Sequence, residues 1–200
     1  MVLGTTTWRY RNNEQLILTR NIAKERGIYN PTIIEYGPGG AINFLMKLLP
    51  AGNKPDWSNT DKIQRGIVKI VESALRKTNL FELESSETLE IDRIFKELFP
   101  NKIYVIDKEQ KVITSIRHKI HNKEFSTHIS GYIMDIQEQA FDKQGEIVIA
   151  YNIIQRTSNP EKTLENIANS TCVGGILSTT SKITPKGFEQ IKEGIYLRKY

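Results

Sequence analysis

The sequence predicts an α/β domain in three layers: a mostly parallel seven-stranded sheet that ends in an antiparallel hairpin, helices on both faces, and a helical insert. Three observations carry this expectation. Short β-branched runs alternate with segments of helical periodicity. A glycine-rich turn joins the first such run to a helix start. The chain also closes on two short extended runs around Glu193-Gly194, as a hairpin would.

The elements follow in order. Asn13 to Arg26 predicts a helix with Leu16, Ile17 and Ile22 inward, ended by Gly27. Thr32-Ile33-Ile34 suits a parallel strand covered on both faces. Glu35-Tyr36-Gly37-Pro38-Gly39-Gly40 is the turn, and Ala41 opens a helix whose unpaired N–H groups favour an anionic group. Two amphipathic helices, Asp61 to Lys77 and Thr88 to Phe99, are expected within an insert of about residues 50–101, joined by an acidic loop, Glu82 to Glu90. Ile103 to Asp107 is a second buried strand, Lys108 onward a helix start, and Ile129 to Asp135 a third strand. Glu146 to Ile154 covers a fourth strand and its loop. Asn159 caps a helix with Pro160 at its first position and Leu164, Ile167 and Ala168 on one face. That helix is expected to break at Gly174-Gly175, before a fifth strand over Ile176 to Thr180. Phe188 to Lys192 and Ile195 to Lys199 make the hairpin.

The turn excludes two nucleotide-binding motifs. A phosphate loop needs Gly-Lys-Ser or Gly-Lys-Thr after the glycines, and Gly39-Gly40-Ala41 stands there. A dinucleotide fingerprint needs Gly or Ala three residues after Gly39, where Ile42 stands. An ordinary strand-to-helix connection stays open at this point.

Glu35-Tyr36-Gly37-Pro38-Gly39 resembles the first motif of class I S-adenosylmethionine (SAM) dependent methyltransferases, an acid-x-Gly-x-Gly turn that ends the first strand of a Rossmann-like sheet. Later segments resemble the same family in the same order. The resemblance implies that Glu35, Gly37, Gly39 and Gly40 form the cofactor turn. It implies that Asp107 receives the ribose hydroxyls and that Asp135 and Ile136 meet the adenine, carboxylate to exocyclic amine and side chain to ring. Tyr151 and Asn152, in the loop facing the sulfonium, are the implied catalytic and cofactor-side positions, with Arg156 a clamp for an acidic acceptor. The family's cofactor is SAM, and S-adenosylhomocysteine (SAH) the product. Ala150-Tyr151-Asn152-Ile153 departs from the Asn-Pro-Pro-Tyr loop of base-amino methyltransferases, which argues against N6-adenine chemistry.

Composition bounds the rest. A chain of 200 residues without a Pro/Ser-rich linker predicts one domain over 1–200. The single cysteine, Cys172, permits no internal disulfide and is expected as a packed thiol. No apolar run has signal-peptide or membrane-spanning length, so a cytoplasmic protein is expected. The formal charge of +5 comes from dispersed cations with clusters at Arg9 to Arg11, Arg117 to Lys119 and Arg198-Lys199, which suit solvated surface or an acidic partner. His118, His121 and His128 lack partners at metal-ligand spacing, and Ser115 and Ser178 sit in no nucleophile-elbow pattern.

Three functions fit these features: a methyltransferase of a small-molecule or protein acceptor, a non-catalytic module on the same fold, or an RNA methyltransferase. The insert is expected to add packing, a homodimer surface or a lid over the acceptor, and Trp8 and Tyr10 to pack the first helix or touch the ligand.

Overall fold

A computed structural model describes residues 4–38 and 86–200, with side chains for 13–38 and 88–200. Gly39, Gly40, the helix expected over 61–77 and most of the insert lie outside the described residues, as do the side chains of Trp8 and Tyr10. The elements are α1 (Gly4–Glu25), β1 (Thr32–Tyr36), α2 (Ser86–Phe95), a 3-10 turn (Lys96–Leu98), β2 (Lys102–Asp107), α3 (Gln110–His121), β3 (Ile129–Ile133), β4 (Gly145–Ala150), a second 3-10 turn (Ile154–Arg156), α4 (Pro160–Asn169), β5 (Thr171–Thr179), β6 (Phe188–Lys192) and β7 (Ile195–Arg198).

The seven strands form one sheet in the order β3-β2-β1-β4-β5-β7-β6. Strands β1 to β5 pair in parallel, and β7 lies antiparallel between β5 and β6. The parallel pairings need crossovers, and helices on the sheet's faces bury both sides of the central strands. Ile33 and Ile34 are therefore both fully buried although neighbours on a strand face opposite ways. Ile33 joins the core beneath α1, α2 and α3, with Leu16, Phe95 and Ile116. Ile34 joins the core beneath α4, with Val148, Leu164 and Ile167. Each such side chain stabilises the fold by about 1.5–3 kcal/mol relative to exposure.

Helix α1 begins earlier than expected, at Gly4, and ends as the sequence suggests. Gly27 takes φ +71°, Gly27 N–H donates to the Lys24 carbonyl at 3.0 Å and Ile28 N–H to that of Ala23 at 2.9 Å, so two terminal carbonyls are satisfied in a Schellman arrangement. The inward face is Leu16, Thr19, Ile22 and Ala23, spaced three, three and one apart. Ile17, expected inward, is 40% exposed, because it sits one residue, about 100° of helix, from that stripe.

Two further expectations are corrected. The acidic loop over Glu82 to Glu90 does not extend to Glu90: Ser86 onward is already helix α2. Its Ile91, Ile94 and Phe95, with Leu98 of the following turn, bury into the same core as β1 and β2, so this part of the insert belongs to the sandwich. Asp92 ties it down, its carboxylate accepting from Ser126 N–H and Oγ and from Thr127 N–H at 2.8–3.0 Å. The second correction concerns Gly174-Gly175, which lies inside β5, not at a helix end. Helix α4 stops at Asn169, and a bulge, with Gly174 at φ +77°, matches Gly145–Ile147 of β4 to Thr171–Ile176 of β5. Cys172 accordingly sits on a strand, half-buried, with burial pushing its thiol pKa up. At the start of α4 the expected cap forms, Asn159 Oδ1 accepting from Lys162 N–H at 3.0 Å. No described helix is long and apolar enough to cross a membrane.

Candidate functional site

Strand order places the site. From β1 the chain moves through β2 to β3 on one side and returns to β4 on the other, so the connections at β1 diverge and leave a crevice at the carboxyl ends of β1 and β4. The turn after β1 opens there. Gly37 has φ +63°, donates its N–H to the Ile106 carbonyl at 2.9 Å, and a Cβ on it would meet Ile153 Cδ1 at 3.1 Å. A side chain at Gly37 would strain the backbone and press on the β4 loop.

Three acids stand at the ends of adjacent strands. Glu35 pairs with Val105 of β2 and Ile149 of β4, which fixes its backbone from both sides. Its side chain is 2% exposed and accepts from Thr88 Oγ1 at 2.6 Å. Asp107 ends β2, opposite Ile133 of β3, and its Oδ1 accepts from Glu109 N–H at 2.8 Å. Burial holds the Asp107 carboxyl above its ordinary pKa and outweighs the lowering by that N–H. Asp135 follows the end of β3, which stops at Ile133, two residues earlier than expected. It accepts from Gln137 N–H at 3.0 Å, and Lys108 Nζ lies 4.0 Å away. The neighbouring Ile136 is buried, and its carbonyl accepts from Asn166 Nδ2 of α4 at 2.7 Å.

Sequence reasoning missed the supports of these acids. Gln137 Nε2 approaches Asp135 Oδ1 at 3.3 Å, while Gln137 Oε1 accepts from Ser158 N–H and Oγ at 2.8 and 2.9 Å, so the loop after β4 braces the loop after β3. The i to i+2 carboxylate-to-amide pattern at Asp107 and Asp135 is a local signal that the sequence does offer. Thr88 and Ser158 carry no such signal.

On the β4 side, the Tyr151 ring is buried and its hydroxyl lies 2.8 Å from Ser178 Oγ, which also accepts from Thr19 Oγ1 of α1 at 2.9 Å. Asn152 adopts φ +57° and donates its N–H to Thr180 Oγ1 at 2.8 Å, so it stands half-buried at the crevice end of β4. Arg156 closes the short turn that follows and is exposed.

The remaining polar groups expected elsewhere do not converge. His118 and His121 are exposed on α3, and no group of three His, Cys, Asp or Glu able to hold a metal occurs among the described residues. Of the basic clusters, Arg198 donates to the carbonyls of Ala168, Asn169 and Thr171 around the end of α4, and Lys199 pairs with Glu189.

No protein-family model matches the sequence, and neither does any curated protein. Solved structures do match. The N-methyltransferase NodS from Bradyrhizobium japonicum is 13% identical with a TM-score of 0.50, over 90% of this chain and 71% of that one. The chain has the class I methyltransferase fold. Coclaurine N-methyltransferase, solved with N-methylheliamine and SAH, is 9% identical with a TM-score of 0.48, over 82% of this chain. YcgJ from Bacillus subtilis is 9% identical with a TM-score of 0.45, over 82% of this chain. The chain spans only 35% and 48% of the length of these last two. The antiparallel β6 and β7 are the hairpin expected from the two runs around Glu193-Gly194, and β1 ends at the Gly37 turn of the first motif.

Proposed function

We propose that the chain is a SAM-dependent methyltransferase acting on a small-molecule or protein acceptor. The observation that carries this reading is the row of three acids, Glu35, Asp107 and Asp135, at the ends of β1, β2 and β3 beside the crevice. The donor sets fit the cofactor. Asp107 is an acceptor-only group whose charge is disfavoured by burial, and ribose hydroxyls would supply the donors it lacks. Asp135 and buried Ile136 offer a carboxylate and an apolar surface to an aminopurine. Gly37, and by resemblance Gly39 and Gly40, let main-chain N–H groups approach the amino-acid end.

When bound, SAM supplies an electrophilic methyl on a good leaving group, so this chain's own residues need only align the acceptor and exclude water. Asn152 is the side chain proposed to orient the acceptor, and Tyr151 shapes the loop from beneath, since its hydroxyl is held by Ser178. Arg156 would draw an acidic acceptor.

The test is calorimetric titration with SAM and SAH, and with NAD as control. Saturable binding of the first two alone is expected, followed by methyl transfer in an acceptor screen. Absence of SAM and SAH binding would overturn the reading, and binding without transfer to any acceptor class would leave a non-catalytic module.

A further inference from the structure

We infer that Thr88 is a positioning residue of the cofactor crevice, acting through the Glu35 carboxylate, an inference that rests on the SAM reading above. Thr88 is fully buried in the first turn of α2, and its Oγ1 donates to Glu35 Oε2 at 2.6 Å. The threonine hydroxyl is the donor of this bond and the carboxyl oxygen the acceptor.

Sheet pairing holds the Glu35 backbone, and Thr88 holds one oxygen of its side chain. That donor is β-branched, with few rotamers, and stands on a helix that is itself buried through Ile91, Ile94 and Phe95, so it restricts where the carboxylate can point. The carboxylate also meets the first turn of a ten-residue helix, where the helix dipole favours negative charge. Thr88 and Glu35 are 53 positions apart, so the helix that closes the insert completes the turn that opens the site. Cofactor binding at Glu35 and the order of α2 are then linked reciprocally.

The experiment measures SAM and SAH affinity and thermal melting for wild type, Thr88→Ser, Thr88→Val, Glu35→Gln and the Thr88→Val/Glu35→Gln double variant. Thr88→Val should weaken SAM at least about 10-fold and Thr88→Ser less than about 3-fold, the scale of one hydrogen bond to a charged group. In the Glu35→Gln background, adding Thr88→Val should change affinity less than about 2-fold, because the threonine acts through the carboxylate. Independently of any variant, saturating SAH should slow amide exchange over Ser86–Phe95 in the wild-type chain. Wild type that binds SAM while Thr88→Val binds equally well, or exchange over Ser86–Phe95 that SAH leaves unchanged, overturns the inference alone. Wild type that binds neither SAM nor SAH overturns the cofactor reading and this inference with it.

Discussion

Replacing Asp107 by asparagine should separate stability from ligand affinity. The amide keeps an oxygen for Glu109 N–H and discards a charge that burial disfavours. Between the unfolded carboxyl's value of about 3.9 and the raised folded value, the native protein binds more proton than the unfolded chain. Stability contributed at this site therefore falls as pH rises through that window and stays lower above it. Asp107→Asn removes that loss, so the ligand-free variant should melt at or above the wild-type temperature at pH 7. Cofactor affinity should move the other way. Hydrogen bonds to a charged acceptor contribute about 1.5–3 kcal/mol, and losing one such increment means roughly 10- to 150-fold weaker SAM binding. Wild-type affinity should also decline as pH falls through the raised pKa, because ribose hydroxyls favour the charged form. Titration calorimetry from pH 4.5 to pH 8, paired with thermal melts of both proteins, reads all three effects. Unchanged SAM affinity in a folded Asp107→Asn protein would remove Asp107 from the site, and a marked drop in its ligand-free melting temperature would refute the account of the charge.

Three other perturbations test the architecture around it. Gly37→Val places a β-branched residue at φ +63° with its Cβ 3.1 Å from Ile153 Cδ1, so urea unfolding should show a loss of about 1–3 kcal/mol, with SAM binding lost as well. Ser178→Ala removes the oxygen shared by the hydroxyls of Tyr151 and of Thr19, which keeps the Gln15 carbonyl at 2.7 Å, and should cost about 0.5–1.5 kcal/mol by the same measurement, with an unchanged m-value. Gln137→Ala frees Asp135 from the β4 loop and should weaken SAM binding by about 0.5–1.5 kcal/mol while leaving the melting temperature within a few degrees; an affinity equal to wild type would show that Asp135 needs no brace.

What the sequence made legible was local. Alternating β-branched runs, the Asn159-Pro160 helix start and the Gly27 stop are all settled within a few residues, and the structure agrees with each. The failures share a cause in tertiary contact. Gly174-Gly175 has the composition of a helix stop, yet pairing with β4 draws it into a bulged strand. Ile17 has the apolarity of a core residue, but helix phase decides which apolar positions face the sheet. Of the roles expected for the insert, added packing is the one its described end fills, with Ile91, Ile94 and Phe95 in the core that β1 and β2 need covered.

The same division runs through the candidate site. Asp107 and Asp135 are each held by an amide two residues onward, Glu109 and Gln137, so their geometry forms as soon as the strand ends fold. Glu35 has its threonine donor 53 positions away and its backbone clamped between two strands, one of them more than a hundred residues downstream. The acid at β1 therefore depends on the central sheet and α2, while Asp107 and Asp135 each have a local amide, Asp135 being braced in addition from the loop after β4 through Gln137 and Ser158. Local opening of α2 would loosen the acid at the glycine turn first and leave the two aspartates least affected. On the proposed cofactor reading, the grip on the amino-acid end would then follow the stability of α2, whose Thr88 reaches Glu35 across 53 positions.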